Sequence, residues 1–311
     1  MGPSESTLQE RFDRPGLAVM LTGAARTGVR HALALLCGIA IGLAAWGALA
    51  LVRGMTGAAT AVNDAALSPN LGEPPLQPSP AWITPLALPV PTLSAPALRP
   101  LPAWSNAIVP PGNRLVAQAQ VGQVAVYPSK GARRPKMSLS NPNSEGAPLV
   151  FLVAAVGRRR LRVLLPTRPN LSQGWIARRD VRLALDPYRI AVHLRSHRMF
   201  IWRGGKLVQR YPVGVGRRAV TPTPFGLYYI TELLKQPNPA GEFGPYAFGL
   251  SAHSDVLHEF AGGHEQIGIH ETNQPWAVGT NVSHGCIRVY NHVVRTLAHE
   301  LPLGTPVRIE Q

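Results

Sequence analysis

From residue 114 to its end the chain consists of short apolar runs separated by turn residues, and this spacing predicts β-structure. In the clearest case RMFIWR (198–203) is joined to KLVQRYPV (206–213) by Gly204 and Gly205. Two alternating segments joined by a two-residue glycine turn predict a β-hairpin. Residues 188–311 are therefore predicted to form a mostly β domain with one short helix over 292–300. Its further predicted strands are RIAVHL (189–194), LYYIT (227–231), IGIH (267–270) and PVRIE (306–310).

A second, smaller β unit is predicted over residues 113–187. Its apolar runs are QVAVY (123–127), LVFLVAAV (149–156), RLRVLL (160–165) and QGWIA (173–177). Gly, Pro, Asn and Ser lie between these runs, which is typical of about five short strands. The order of a VYPS strand, a proline-containing turn, the RLRVLL strand and the GWI strand resembles a bacterial SH3-type domain. The resemblance implies a small SH3-like β-barrel.

Residues 32–52 form an apolar run of 21 residues without a charge. As a helix rising about 1.5 Å per residue, the run crosses a hydrocarbon core of about 30 Å. Four arginines precede it and only Arg53 follows closely, which predicts a cytoplasmic segment over 1–31. The prediction is a single-pass anchor in the cell membrane with all later domains outside the cytoplasm. The alternative is a secreted protein, released from a signal peptide that begins at Met20 and is cleaved after Ala48–Ala50.

The segment 53–112 separates the apolar run from the β units. Of the 31 prolines in the chain, 13 lie between Ser68 and Pro111, with Leu, Ala and Ser between them and almost no charge. This composition favours extended polyproline II over a packed core. We predict a Pro-rich linker, which is either a spacer of defined length or a disordered tether.

The smaller β unit is strongly basic. Between residues 129 and 182 there are 12 Lys or Arg against Glu145 and Asp180. Nucleic acid is a common partner of such a surface, but a chain exported across a membrane does not meet chromosomal DNA. Anionic wall polymers or lipid headgroups are therefore the predicted partners, and no nucleic acid is expected. A merely solvated basic surface, in a protein of pI near 10.9, is the alternative.

The two cysteines of the chain are Cys37, in the apolar run, and Cys286, in the segment HETNQPWAVGTNVSHGCIRVYN (270–291). A bridge between them would join a membrane segment to an extracytoplasmic loop, so no disulfide is predicted. A lone extracytoplasmic thiol is a candidate nucleophile when an imidazole lies near enough to activate it. His270 and His284 are the candidates for that imidazole.

Several features in chain order resemble the L,D-transpeptidase catalytic domain family over about residues 188–311. They are the opening hairpin, the TPTPFG turn (221–226), the GPYAFGLS stretch (244–251), the IGIH strand and SHGCIR (283–288). The family motif is a His, a spacer and Ser/Thr-His-Gly-Cys before an apolar residue. Here 12 residues separate His270 from Ser283, which is at the short end of the family range. The resemblance implies an enzyme that builds or edits peptidoglycan without a cofactor or a metal.

The resemblance also assigns roles. Cys286 resembles the nucleophile, His270 the general base, and the backbone carbonyl of Glu271 the group that orients His270. Many relatives carry Gly or another small residue directly after the catalytic His, so the Glu271 carboxylate is a departure. If it lies beside the imidazole it stabilises the charged ring; if it points away it does nothing.

The loop around the cysteine has further candidate residues. Gly285 allows a sharp turn on which the N–H groups of Gly285 and Cys286 face the oxygen of a tetrahedral intermediate, while Ser283 and His284 shape the loop. His284 is either a second catalytic imidazole or a group that bonds the loop and meets the substrate. Arg288 holds either a substrate carboxylate or the loop itself.

Metal binding is the remaining interpretation of these polar residues. Its ligands would be His264, His270, His284 and Cys286. Their spacing lacks the close ligand pairs of zinc sites, so no metal is predicted.

The implied reaction is a two-step acyl transfer on peptidoglycan stem peptides. The cysteine attacks the carbonyl of the third residue of a tetrapeptide stem, D-alanine leaves, and an amine takes the acyl group from the thioester, which cross-links two third residues. Acylation by β-lactams such as carbapenems is expected as well. With water as acceptor the enzyme is an L,D-carboxypeptidase, and a non-catalytic wall-binding protein is the alternative from another class.

Overall fold

A computed structural model describes residues 95–101, 109–258 and 265–311 of the chain. The predicted cytoplasmic segment, the predicted anchor at 32–52 and most of the predicted linker lie outside these ranges. Within them, no helix combines the length and the apolar character that crossing a membrane requires.

The described residues form two eight-stranded sheets, which we call the N-terminal and the C-terminal sheet. The strands of the N-terminal sheet are β1 (Arg99–Pro100), β2 (Arg114–Ala119), β3 (Gln123–Tyr127), β4 (Met137–Ser140), β5 (Val150–Val156), β6 (Arg160–Leu164), β7 (Gln173–Ala177) and β8 (Val181–Asp186). The remaining elements are β9 (Tyr188–His193), β10 (Arg198–Arg203), β11 (Lys206–Pro212), β12 (Val215–Gly216), β13 (Gly226–Lys235), β14 (Tyr246–His253), β15 (Gln266–Glu271), β16 (Asn281–Ser283), β17 (Ile287–Val289), helix α1 (Asn291–Glu300) and β18 (Pro306–Glu310). Short 3₁₀ turns occur at Arg178–Asp180 and Pro275–Ala277.

The N-terminal sheet has the strand order β1-β8-β2-β5-β6-β7-β3-β4. The four predicted strands of this region are present, and four more join them. Strands β2 and β8 pair along six residues, and β8 is separated from β9 by Pro187 alone, so no cluster of turn residues marks its end. That missing turn signal is why β8 was not predicted as a separate strand. The SH3-type identification of this region stays a prediction.

The C-terminal sheet has the order β11-β10-β9-β18-β13-β14-β15-β17, and β12 pairs with β16 beside it. The predicted hairpin is present as β10 and β11, joined through Gly204 and Gly205. Helix α1 buries one face against β14 and β15, because Val293, Val294 and Leu297 fall on a single side of the helix. Sequence patterns therefore predicted six of the eight strands of this sheet, but not β14 or β17.

A buried apolar cluster joins the two sheets. Tyr229 of β13 packs against four aliphatic side chains of the N-terminal sheet, and its hydroxyl donates to the carbonyl of Leu164 at 3.3 Å. Burial of a large side chain of this kind stabilises a fold by about 1.5–3 kcal/mol. The N-terminal sheet is thus held against the C-terminal sheet and can line a site built on it. The four aliphatic residues are Val116, Val150, Leu152 and Leu164.

Candidate active site

A cleft of about 1010 Å³ lies between the two sheets. Residues of both sheets line it, and the C-terminal sheet contributes most of the motif. Of the seven residues singled out in the sequence, five line the cleft and two, Glu271 and Gly285, lie behind its wall. The five are His270, Ser283, His284, Cys286 and Arg288.

Cys286 lies directly before β17 and beside β15. Strands β15 and β17 run parallel, with Ile269 opposite Ile287, so Cys286 comes next to Gly268. The Gly268 N–H donates to Cys286 Sγ at 3.4 Å. Gly268 and His270 are two residues apart on one strand, so they face the same side of the sheet. The thiol and the imidazole therefore share one wall of the cleft.

The His270 ring is fixed by its neighbours. Its Nδ1 lies 2.6 Å from the backbone carbonyl oxygen of Glu271. Because a carbonyl oxygen only accepts, Nδ1 carries the hydrogen and Nε2 keeps its lone pair. The Phe243 ring meets the imidazole edge to face, with 4.7 Å between ring centroids. This arrangement holds a neutral imidazole in the tautomer that a general base needs.

Burial determines the charge state of both groups. Desolvation, together with the smaller effect of the Arg288 cation, lowers the pKa of His270 to about 4, although the carbonyls of Glu271 and Glu242 oppose the shift. Desolvation raises the pKa of the Cys286 thiol, although the Gly268 N–H and Arg288 favour the thiolate. The resting pair is therefore a neutral thiol beside a neutral imidazole. Formation of the thiolate is part of the reaction rather than of the resting state.

Ser283 and Gly285 close the turn that carries the cysteine. The Ser283 hydroxyl donates to the Cys286 carbonyl at 2.6 Å and accepts the Gly285 N–H at 3.2 Å. Gly285 has φ 124°, and a Cβ here would come within 2.8 Å of Ile267 Cδ1, so only glycine fits. The expected use of the Gly285 N–H differs from the structure, because Ser283 already accepts it. The Cys286 N–H has no backbone acceptor in the described ranges.

Two threonines of the TPTPFG turn hold this loop from behind. Thr221 donates its hydroxyl to the Ser283 carbonyl at 2.9 Å, and Thr223 donates to the Gly285 carbonyl at 2.8 Å. Thr223 also accepts the Gly216 N–H at 2.9 Å. Both threonines are buried. The sequence pattern indicated the turn but no role for these hydroxyls. Their spacing is nevertheless a signal, because two threonines two residues apart in an extended segment face the same side and can contact the same neighbouring loop.

Arg288 differs from the expectation that it holds a substrate carboxylate. Its guanidinium is 9% exposed and forms an ion pair with Glu242 at 2.8 Å. A longer contact of 3.4 Å joins it to the side-chain oxygen of Gln274. The arginine therefore fastens the 242 loop and the 274 turn beside the imidazole. These contacts give Arg288 a structural role, and they are made to side chains of other segments rather than to the backbone of the loop that carries the cysteine.

His284 is half-buried in the cleft wall. Burial lowers the pKa of its imidazole, and the cations of Arg217 and Arg288 lower it further. A neutral ring in this place can donate or accept a hydrogen bond from a ligand in the cleft.

The Glu271 carboxylate points away from the imidazole that precedes it. Its side chain fills the space beside Gly244 and accepts a hydrogen bond from the Asn291 side chain. The groups that shift the pKa of His270 do not include this carboxylate. Of the two interpretations of Glu271, the geometry agrees with a contribution from the backbone alone.

We expect Glu271→Gln to leave the pH profile of Cys286 alkylation unchanged, because the carbonyl stays and the carboxylate is remote from the ring. Since burial raises the thiol pKa, the midpoint of this profile in the wild type lies above the value of about 8.5 for free cysteine. Alkylation rates with iodoacetamide between pH 6 and 10 measure the midpoint. A shift of that midpoint in the variant contradicts the backbone-only role.

Comparison with known proteins agrees with this geometry. The family model described as the L,D-transpeptidase catalytic domain (YkuD) matches residues 187–309. The YkuD protein of Bacillus licheniformis is 35% identical over 164 residues, which are 50% of this chain and 90% of the relative. The YkuD protein of Bacillus subtilis strain 168 is 33% identical over 165 residues, which are 51% of this chain and 92% of the relative. Among solved structures, Bd1075 of Bdellovibrio bacteriovorus is 29% identical with a TM-score of 0.32, over 40% of this chain and 48% of that one.

Proposed function

The chain belongs to the L,D-transpeptidase family of cysteine-dependent acyltransferases, and from that premise we propose that Cys286 forms a thioester with a peptidoglycan tetrapeptide stem and passes the acyl group to an amine. The observation that carries the proposal is that a thiol and an imidazole line the same cleft wall, with Nδ1 of the imidazole held by a carbonyl. This pair supplies a nucleophile and a base without a carboxylate.

In the first step His270 Nε2 takes the Cys286 proton while Sγ attacks the carbonyl carbon of the third residue of the stem. The negative charge that develops on the carbonyl oxygen is stabilised by the Cys286 N–H, a contribution worth about 3 kcal/mol per donor in comparable sites. The bond to the D-alanine nitrogen then breaks, and His270 returns the proton to that nitrogen. The products are free D-alanine and a thioester on Cys286.

In the second step an amine attacks the thioester carbon. His270 removes a proton from the amine, the carbon–sulfur bond breaks, and the proton passes to Sγ. With the side-chain amine of another stem as acceptor, the product is a cross-link between two third residues. Mass spectrometry of products from purified chain and tetrapeptide stems tests the acceptor. A cross-linked dimer supports the proposal, and a tripeptide alone means that water is the acceptor, as in a carboxypeptidase.

Carbapenems are expected to acylate Cys286, because a strained lactam carbonyl resembles the scissile carbonyl. Attack by Sγ opens the lactam, whose nitrogen takes the proton, so the protein mass increases by the full mass of the drug. Intact-mass measurement followed by peptide mapping checks the adduct and its position. Failure of every carbapenem tried to modify Cys286 contradicts the expectation.

We propose that the apolar run at 32–52 anchors the protein in the cell membrane with its C-terminal domains outside the cytoplasm. The support is the absence of charge over 21 residues and the excess of arginine before them. Sequencing of the mature N-terminus tests this proposal. A mature chain that begins at Leu51 shows that the segment is a cleaved signal peptide and the protein is secreted.

The basic turns of the N-terminal sheet are proposed to contact anionic wall polymers. The support is the exposed position of their arginines, which include Arg133, Arg134, Arg158, Arg159 and Arg179. Charge attraction of this kind weakens with salt. Co-sedimentation with purified walls, before and after removal of their anionic polymers, tests the contact. Equal binding to both preparations contradicts it.

A further inference from the structure

The cleft is rich in carboxylates although the chain as a whole is basic. The chain has 31 Lys or Arg and 16 Asp or Glu, yet four glutamates and two arginines line the cleft. Arg288 is paired with Glu242, and Arg168 donates to the backbone carbonyls of Ser254 and Leu257. The cations of the cleft are thus engaged within the protein. The other lining glutamates are Glu145, Glu232 and Glu265.

Glu232 is the buried member of this group. It lies on β13, is 2% exposed, and accepts a hydrogen bond from the Asn143 side chain at 2.8 Å through Oε2. Its Oε1 has no well-directed hydrogen bond within the described ranges. Burial raises the pKa of Glu232 to about 7 and the nearby Glu145 charge adds to the rise, while side-chain hydrogen bonds from Thr231, Gln266 and Asn143 oppose it. No cation is among the groups that lower this pKa, so an ammonium group would supply the charge that the site needs.

Two glycines, Gly249 and Gly268, lie between Glu232 and the nucleophile Cys286. Glu232 pairs with Gly249 on β14, Gly249 pairs with Gly268 on β15, and the Gly268 N–H contacts Cys286 Sγ. All four residues line the cleft. Residues paired across neighbouring strands face the same side, and the Glu232 carboxylate occupies the place where a Cβ of Gly249 would lie. The carboxylate therefore lies over Gly249, and Gly268, which has no side chain, leaves a groove between the carboxylate and Cys286.

The strand spacing sets the length of this groove. Neighbouring strands lie about 4.8 Å apart, so the carboxylate, which lies over Gly249, is about one strand spacing from Gly268. An amine on a flexible four-carbon stem, as in lysine, spans this distance when extended. A substrate whose reacting carbonyl is at Sγ would bring such an amine to the carboxylate.

We propose that Glu232 binds the side-chain ammonium group of a diamino acid at the third position of the acyl donor. The inference rests on the proposed function and adds a specificity residue to it. The groove over Gly268 takes the aliphatic part of the side chain, and the carboxylate, which lies over Gly249, takes its charge. Hydrogen bonds to charged groups contribute about 1.5–3 kcal/mol, which corresponds to roughly a tenfold or larger preference for the charged donor.

The test compares two tetrapeptide donors, one with lysine at the third position and one with Nε-acetyllysine, by release of D-alanine from the full chain. The wild type is expected to show a kcat/KM ratio of roughly 10 or more in favour of lysine. Glu232→Gln, whose amide oxygen still accepts from Asn143, is expected to bring this ratio close to one. Glu145→Gln is the matched control for general charge in the cleft, and its ratio should stay near that of the wild type.

The outcomes separate the inference from the function on which it rests. A wild type without preference, or a Glu232→Gln variant that keeps the wild-type ratio, overturns the role of Glu232 while D-alanine release still supports the enzyme. Loss of the ratio in Glu145→Gln but not in Glu232→Gln also overturns it. A folded wild type that releases D-alanine from neither donor contradicts the proposed function itself.

Discussion

Cys286→Ala abolishes D-alanine release from a tetrapeptide stem while the fold stays intact. The thiol is the nucleophile of the proposed mechanism, and loss of a catalytic nucleophile lowers kcat by roughly 10⁴-fold or more. The contact that Sγ accepts is a single long one from Gly268, so little stability is lost with it. D-alanine release under saturating stem peptide measures the activity, and thermal unfolding measures the fold.

The matched control for this variant is Cys37→Ala, which removes the other cysteine of the chain. Cys37 has no part in the proposed chemistry, so this variant should release D-alanine at the wild-type rate. Turnover by Cys286→Ala comparable to that of Cys37→Ala would contradict the assignment of Cys286 as the nucleophile.

His270→Ala should lower kcat by roughly 10²–10⁴-fold, the usual contribution of a positioned general base. Because burial lowers the pKa of His270 to about 4, the wild-type imidazole is neutral and able to accept a proton at any pH above about 5. The loss should therefore be similar at pH 6 and at pH 8. Single-turnover release of D-alanine at both values measures it.

His284→Ala is the control for His270, because it removes the other imidazole of the motif and leaves the carbonyl contact of His270 in place. We expect a smaller loss, since the proposed mechanism assigns the thiol proton to His270 alone. An equal loss in both variants contradicts the assignment of a single base.

Local sequence patterns predicted the parts of the fold that depend on near neighbours. The turn at Gly204 and Gly205 indicated the hairpin. The helix was indicated by apolar residues at helical spacing, which form the buried face of α1. Strands β8 and β14 were missed because their sequences lack such local signals. Strand β8 continues almost directly into β9, and the GPYAFGLS stretch contains two glycines that weaken the strand pattern.

Contacts between distant residues were beyond the sequence patterns. The motif predicted that Cys286 and His270 lie close together. The Glu271 carbonyl contacts the His270 ring, as the resemblance implied. Arg288, by contrast, meets Glu242 across 46 positions of the chain, and Asn143 meets Glu232 across 89. No periodicity links such pairs, because their proximity follows from the sheet order. The hydrogen bond from the Gly285 N–H to the Ser283 hydroxyl was also not predicted from the sequence.

The shared core of the two sheets also bears on function. Asn143, Arg168 and Asn170 of the N-terminal region bond to Glu232 and to the 253–257 segment of the C-terminal region. Both regions contribute residues to the cleft. The N-terminal sheet therefore forms part of the cleft wall that a stem peptide would contact, and it also carries the basic turns.

The thioester on Cys286 is the central claim, and trapping it is the most direct test. The full chain, in molar excess so that little free stem remains as an amine acceptor, is mixed with a tetrapeptide stem, quenched with acid at short times, and analysed by intact mass and peptide mapping. The account predicts a mass increase equal to the stem minus D-alanine, located on Cys286, with one D-alanine released per adduct in the first turnover. Release of D-alanine without an adduct on Cys286 at any quench time would contradict it.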